Sequence, residues 1–128
     1  MATRCLINVK GYKISLYIHY DGYPKHIIPW LFDFSTRFIE NRGNDPDYFL
    51  AQLLRDSVYS GEKFGLDESK FTGYGLFAHT RGLDVGQEYM YSVDLEKSTI
   101  TILNVYDKTD FIIDLTKPLP FLAVLEAS

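Results

Sequence analysis

Hydrophobic and polar residues alternate twice near the N-terminus, in Arg4-Cys5-Leu6-Ile7-Asn8-Val9 and again in Ile14-Ser15-Leu16-Tyr17-Ile18-His19. Side chains alternate across a β-strand, so each run has one apolar face: Cys5, Ile7 and Val9 in the first, Ile14, Leu16 and Ile18 in the second. Gly11 between them can take the positive φ of a tight turn, which predicts a hairpin. With Gly11-Tyr12 as the turn, Cys5 faces Ile18, Ile7 faces Leu16 and Val9 faces Ile14 on the buried side. Arg4 then faces His19 and Leu6 faces Tyr17 on the other.

The period changes after the hairpin. Ile28, Leu31, Phe32, Phe34, Phe38 and Ile39 form a broad apolar stripe that predicts a helix over Lys25–Asn41, with Pro29 tolerable only near its first turn. Arg42-Gly43-Asn44 ends it. Asp45 as N-cap and Pro46 at the first helical position start a second helix, with Leu50, Leu53, Leu54 and Val58 on one face toward Gly61. A short helical turn is expected at Asp67–Lys70. Strand character returns at Gly73–His79, where Gly73 and Gly75 invite a bulge or a close backbone approach. Glu88–Leu95 and Thr99–Tyr106 read as a hairpin in which Tyr91, Val93, Ile100 and Ile102 share a face, and Phe111–Leu115 offers one more strand. The order ββααβββ(β) predicts an α+β domain: an antiparallel sheet with two helices packed on one face.

Composition limits the function classes. A chain of 128 residues without a long Pro/Ser/Gly-rich linker is most simply one domain, 1–128, with 117–128 as a candidate C-terminal arm. The single cysteine, Cys5, lies on the predicted buried face and fits a reducing, cytoplasmic compartment. No apolar run is long enough to cross a bilayer. A net charge of −4 argues against duplex nucleic acid as partner. Ten Tyr and nine Phe exceed what a core of this size needs, and the surplus suits an interface or a ligand platform.

Candidate chemistry concentrates where the hairpin meets the first helix, at Tyr17-Ile18-His19-Tyr20-Asp21-Gly22-Tyr23-Pro24. If His79 and the strand bearing Glu88, Tyr89 and Tyr91 lie beside the hairpin, one concavity gathers Arg4, Tyr17, His19, Asp21, His79 and Glu88. Tyr23, Lys25 and Tyr91 complete the candidate ligand site. The helix after Asp21 is expected to aim its first N–H groups at the same region, which favours anions. Arginine, lysine, histidine and tyrosine faces together suit a phosphate-bearing nucleotide.

Each element also has a plainer role. Asp21-Gly22 can serve only as a turn, with Asp21 accepting backbone N–H groups and Gly22 supplying an unusual φ. His19 can be a neutral histidine on a solvated face. A metal site from His19, Asp21 and His79 or Glu88 lacks a ligand-spacing signature. His19 and His79 could instead act as acid and base on a phosphodiester. Arg81-Gly82 could grip a phosphate or simply be solvated. No cofactor fingerprint, Walker loop or Gly-x-Ser-x-Gly elbow occurs.

Tyr17-x-His19-x-Asp21-Gly22-Tyr23-Pro24 and Glu88-Tyr89-Met90-Tyr91-Ser92-Val93-Asp94-Leu95, together with the early Arg4, resemble a family of short proteins of unassigned role that recur in phage and prophage genomes. The resemblance covers two blocks and under half the chain, and Thr80–Gln87 is longer here than in that family. It implies a small accessory protein that blunts host immunity by binding, in the host cytoplasm. The leading expectation is a non-catalytic counter-defence protein that sequesters a small nucleotide immune signal. It would be a homo-oligomer joined through surplus tyrosines and Pro118–Leu125. The alternative is an inhibitor that binds a protein of a bacterial defence complex, and a third reading is a cyclic-nucleotide phosphodiesterase using His19 and His79.

Overall fold

The alternation of the first two runs is realised as a hairpin of β1 (Cys5–Val9) and β2 (Ile14–Ile18), paired antiparallel with Cys5 opposite Ile18, Leu6 opposite Tyr17 and Ile7 opposite Leu16. This is the register that burial of the apolar set demands. Gly11 makes the turn at φ 93°, and the Tyr12 N–H donates to the Val9 carbonyl at 3.1 Å. The computed structural model describes residues 3–59, 73–79 and 86–119. The Asp67–Lys70 turn, Arg81-Gly82 and most of the C-terminal arm lie outside the described residues.

Helix α1 spans Pro24–Arg42 and α2 spans Pro46–Tyr59. Pro24 fits the first helical position because its missing N–H would have no partner there. Ile27, Ile28, Leu31, Phe34 and Phe38 recur at helical spacing and face the core. Ile27, Ile28 and Leu31 are 0 % exposed, and complete burial of such a side chain stabilises by about 2 kcal/mol. Gly43 stops α1 at φ 67° by donating its N–H to the Ile39 carbonyl. Asp45, expected as a cap, binds the Arg42 guanidinium at 2.9 Å. The two helices meet through the rings of Phe34, Phe38 and Phe49, and Trp30 donates its indole N–H to Asp56 at 2.9 Å.

The remaining strands are β3 (Tyr74–Ala78), β4 (Tyr89–Asp94), β5 (Thr99–Asn104) and β6 (Asp110–Asp114). They join the hairpin in a six-stranded sheet of order β3-β2-β1-β4-β5-β6, with both helices on one face. The expected α+β architecture is present, and so is the final strand. The sheet is mixed, however: β1 and β4 pair in parallel, Cys5 with Tyr89 through Val9 with Val93, whereas every other pair is antiparallel. Among the described residues, no helix is long and apolar enough to cross a membrane.

The core lies between helices and sheet, with Cys5, Ile7, Val9, Leu16, Ile18, Tyr91, Val93, Ile100, Ile102 and Ile113 as its floor. Cys5 is 0 % exposed and burial pushes its thiol far up, so it packs as a small hydrophobe and is not a nucleophile. On the outer face, away from the helices, register sets Tyr17, Leu6, Met90 and Leu103 in one apolar row. Ser92 and Thr101 belong to the polar row beside it.

Candidate functional site

β2 and β3 build a groove at one margin of the outer face. Their antiparallel register sets Gly75 opposite Tyr17 and Phe77 opposite Ser15. With no side chain at 75, the Phe77 ring folds back over that position; a Cβ there would lie 2.8 Å from Phe77 Cε1. The Tyr17 and Phe77 rings stack at 4.9 Å between centroids with 27° between planes. Gly73 has a similar role in the neighbouring row, where a Cβ would meet the Tyr20 ring at 2.9 Å. His19 and Tyr20 meet edge to face at 4.7 Å.

The result is a cavity of about 370 Å³ lined by Tyr17, His19, Tyr20, Tyr74, Phe77 and the backbone of Gly73 and Gly75. The Tyr17 hydroxyl lies 2.7 Å from His19 Nδ1. With the hydroxyl donating, Nδ1 of the imidazole is the acceptor. Burial raises the Tyr17 phenol above its ordinary value and outweighs the Arg4 guanidinium, which lowers it, so the hydroxyl keeps its proton. Arg4 continues the β1–β2 register toward His19. Its Nε is buried without a hydrogen-bond partner among the described residues, and one guanidinium nitrogen lies 3.0 Å from where a Cβ at Gly86 would sit.

Arg4, Tyr17 and His19 are thus brought together as expected from the hairpin, and Glu88 joins their end of the sheet by donating its N–H to the Arg4 carbonyl at 2.9 Å. The other expected members are placed elsewhere. His79 donates its backbone N–H to Lys13, whereas His19 donates its own to Gly73. That is about six residue steps along β3, roughly 20 Å at the rise of a strand. His79 instead hydrogen-bonds the Ser15 hydroxyl at 2.8 Å. The two imidazoles are thus held by different hydroxyls of β2, Tyr17 for His19 and Ser15 for His79, from backbone positions far apart on the sheet. Among the described residues, no group of three His, Cys, Asp or Glu could hold a metal ion.

Tyr91 is also displaced from the expected site. Side chains alternate, so Glu88 and Tyr91 point to opposite faces, and Tyr91 goes under the helices, 0 % exposed, donating its hydroxyl to the Gly22 carbonyl at 2.6 Å. Asp21, Tyr23 and Lys25 belong to the connection and the first helical turn, outside the groove lining. The unusual φ falls on Asp21, at 57°, and not on Gly22. Gly22 is required for a different reason: a Cβ there would lie 2.8 Å from the Thr3 carbonyl oxygen and 2.9 Å from Cys5 Cβ. Nor does α1 offer the expected row of donors to an anion. Pro24 has no N–H, and those of His26 and Ile27 already bond the Tyr23 carbonyl.

Tyr20 and Phe77 line the groove without having been singled out by the sequence, whereas the Tyr74 side chain turns to the helix side and packs against the core. The signal for them was the Gly73, Gly75, Phe77 spacing, which puts two missing side chains and one ring on a single strand face. What the site offers is a stacked aromatic wall, an imidazole in hydrogen-bond contact with the Tyr17 hydroxyl and a nearby guanidinium. Groups of this kind suit flat and anionic chemistry. No family model, curated protein or solved structure matches the chain.

Proposed function

We propose that the protein binds a small nucleotide without transforming it, and that its role is to sequester a nucleotide immune signal as a phage counter-defence factor. The Tyr17–Phe77 stack beside His19 carries this reading. A base lies on such a wall by its π-face, worth about 1–3 kcal/mol per base, and Arg4 is the cation nearest for a phosphate. The engagement of His19 and His79 by different hydroxyls of β2 supports binding over cleavage. The counter-defence role comes from the resemblance of the Tyr17 to Pro24 block to phage proteins. A homo-oligomer would let surplus tyrosines close the groove.

Native mass spectrometry of the purified protein, followed by calorimetric titration with cyclic di- and trinucleotides, tests this. The expected result is recovery or binding of an intact nucleotide. Tyr17→Ala and Arg4→Gln should each weaken it by about tenfold or more while leaving the circular dichroism spectrum unchanged. Unchanged affinity in both variants would remove the groove as the site, and return of a cleaved nucleotide would overturn the non-catalytic reading. An empty protein that co-purifies with one component of a defence complex would favour the protein-binding alternative.

A further inference from the structure

At the opposite margin of the sheet, β6 presents an edge that no other described strand pairs with, and it has a charge pattern of its own. The Leu115 N–H donates to Ser98 at 2.8 Å and the Asn104 N–H to Thr109 at 2.9 Å, bracketing the β5–β6 ladder. Hydrogen-bonded pairs alternate in an antiparallel ladder, so the main-chain groups of Asp110, Ile112 and Asp114 turn away from β5. Their N–H groups have no hydrogen-bond partner among the described residues. The side chains of these same three residues share the outer face. Ile112 is 64 % exposed and lies between the two carboxylates; on the helix side Phe111 is 40 % exposed. Beside Phe111 is a second cavity of about 370 Å³, with Tyr89 and Ile102 as apolar walls and Asp107 and Asp110 at its rim.

From this edge we infer a docking site for an extended segment of another protein that adds to β6 as a seventh strand and carries the pattern basic–x–apolar–x–basic. The apolar residue would oppose Ile112 and the two basic residues would oppose Asp110 and Asp114. Charge complementarity selects this occupant. Directly opposed side chains in an added strand approach within about 5 Å, where unlike charges attract and like charges repel. A second copy of β6 is disfavoured by the same rule, since antiparallel pairing about Ile112 would set Asp110 against Asp114 twice. Hydrogen bonds from the Thr109 and Thr116 hydroxyls hold Asp107 and Asp114 below the ordinary carboxylate range, so both stay ionised. Lys117 lies 3.9 Å from Asp114 on a mostly exposed side chain and can swing aside. The cavity next to Phe111 would take a long side chain from the intervening position, its stem on Tyr89 and Phe111 and its cationic head toward Asp107. This surface is separate from the nucleotide groove and does not rest on it.

The test is an NMR titration of the full chain with two short capped peptides, one with the core Lys-Thr-Val-Thr-Lys and one with Glu-Thr-Val-Thr-Glu. The Lys peptide is expected to bind at least about tenfold more tightly, to shift the amides of Asp110, Ile112 and Asp114, and to slow their hydrogen exchange. Ile112→Pro removes an outward N–H that the β5–β6 ladder does not use, and it should abolish binding. Asp110→Lys combined with Asp114→Lys should reverse the preference between the peptides, which keeps the test decisive if the proline variant misfolds. Equal binding of both peptides, or shifts confined to other strands, would overturn the proposal. So would protection of those three amides by self-association.

Discussion

Tyr91 and Gly22 form a joint between the sheet and the start of α1. The Tyr91 hydroxyl reaches the Gly22 carbonyl at 2.6 Å in a site closed to solvent, and burial pushes the phenol far above its ordinary value, so it acts only as a donor. Gly22 meanwhile donates its N–H to the Thr3 carbonyl at 2.8 Å, with no room for a Cβ. Tyr91→Phe leaves a buried carbonyl unsatisfied and should lower stability by about 1–3 kcal/mol, read as a fall in denaturant midpoint at constant slope. Gly22→Ala drives a methyl into backbone and should cost at least as much, about 1–3 kcal/mol from overpacking alone. An unchanged midpoint in Tyr91→Phe would mean that the tyrosine is not tied to the junction. Nucleotide binding by folded Tyr91→Phe should match the parent, because the ring never reaches the groove.

At the scale of elements, the β4–β5 turn is set by one carboxylate. Asp94 accepts the N–H of Lys97 at 3.0 Å and of Glu96 at 3.1 Å, and Lys10 lies 3.6 Å from its other oxygen. The Lys97 N–H, then the charges of Lys10 and the Glu96 N–H, hold the Asp94 pKa below its ordinary value against a smaller desolvation effect than the first of these. A folded pKa below the unfolded one means that the ionised form favours folding. The contribution is complete above the usual carboxylate range and disappears as pH falls through the lowered folded value. Asp94→Asn keeps an acceptor but loses the charge, so it should be less stable by up to about 1 kcal/mol at neutral pH. The gap to the parent should close in acid, and thermal melts across that range check it. A gap that persists in acid would show that geometry, not charge, makes the turn. The hairpins are legible in the sequence because period-two burial and a turn residue fix register locally, and the helices because stripe, proline and glycine coincide. The parallel β1–β4 contact is not, since pairing between strands distant in the chain depends on where the helices pack. That contact, with the alternation of β4, sends Tyr91 to the core, and the β2–β3 register sends His79 away from His19. The groove was half legible: Tyr17 and His19 follow from the hairpin, whereas Phe77 needed the β3 register.

In the whole molecule, the order of the sheet grades stability from centre to margin. β1 is hydrogen-bonded on both sides, to β2 and to β4, and lies beneath the helices with Cys5 and Ile7 at 0 % exposure. Opening it would break two ladders and expose the core, so its amides should exchange only through global unfolding. Among the described residues β6 has one neighbouring strand and outward main-chain N–H groups at Asp110, Ile112 and Asp114, so those amides should exchange orders of magnitude faster than those of β1. The proposed nucleotide groove lies at the β2–β3 margin and the proposed strand-docking edge at the other, with β1, β4 and β5 between them. Hydrogen exchange resolved by residue therefore separates the two proposals in a single protein. A bound nucleotide should slow exchange around Gly73–Phe77 and leave Asp110–Asp114 unchanged, while a docked basic strand should do the reverse. Coupled protection of both margins by either ligand would show that the sheet responds as one body, and it would contradict the independence argued from their separation.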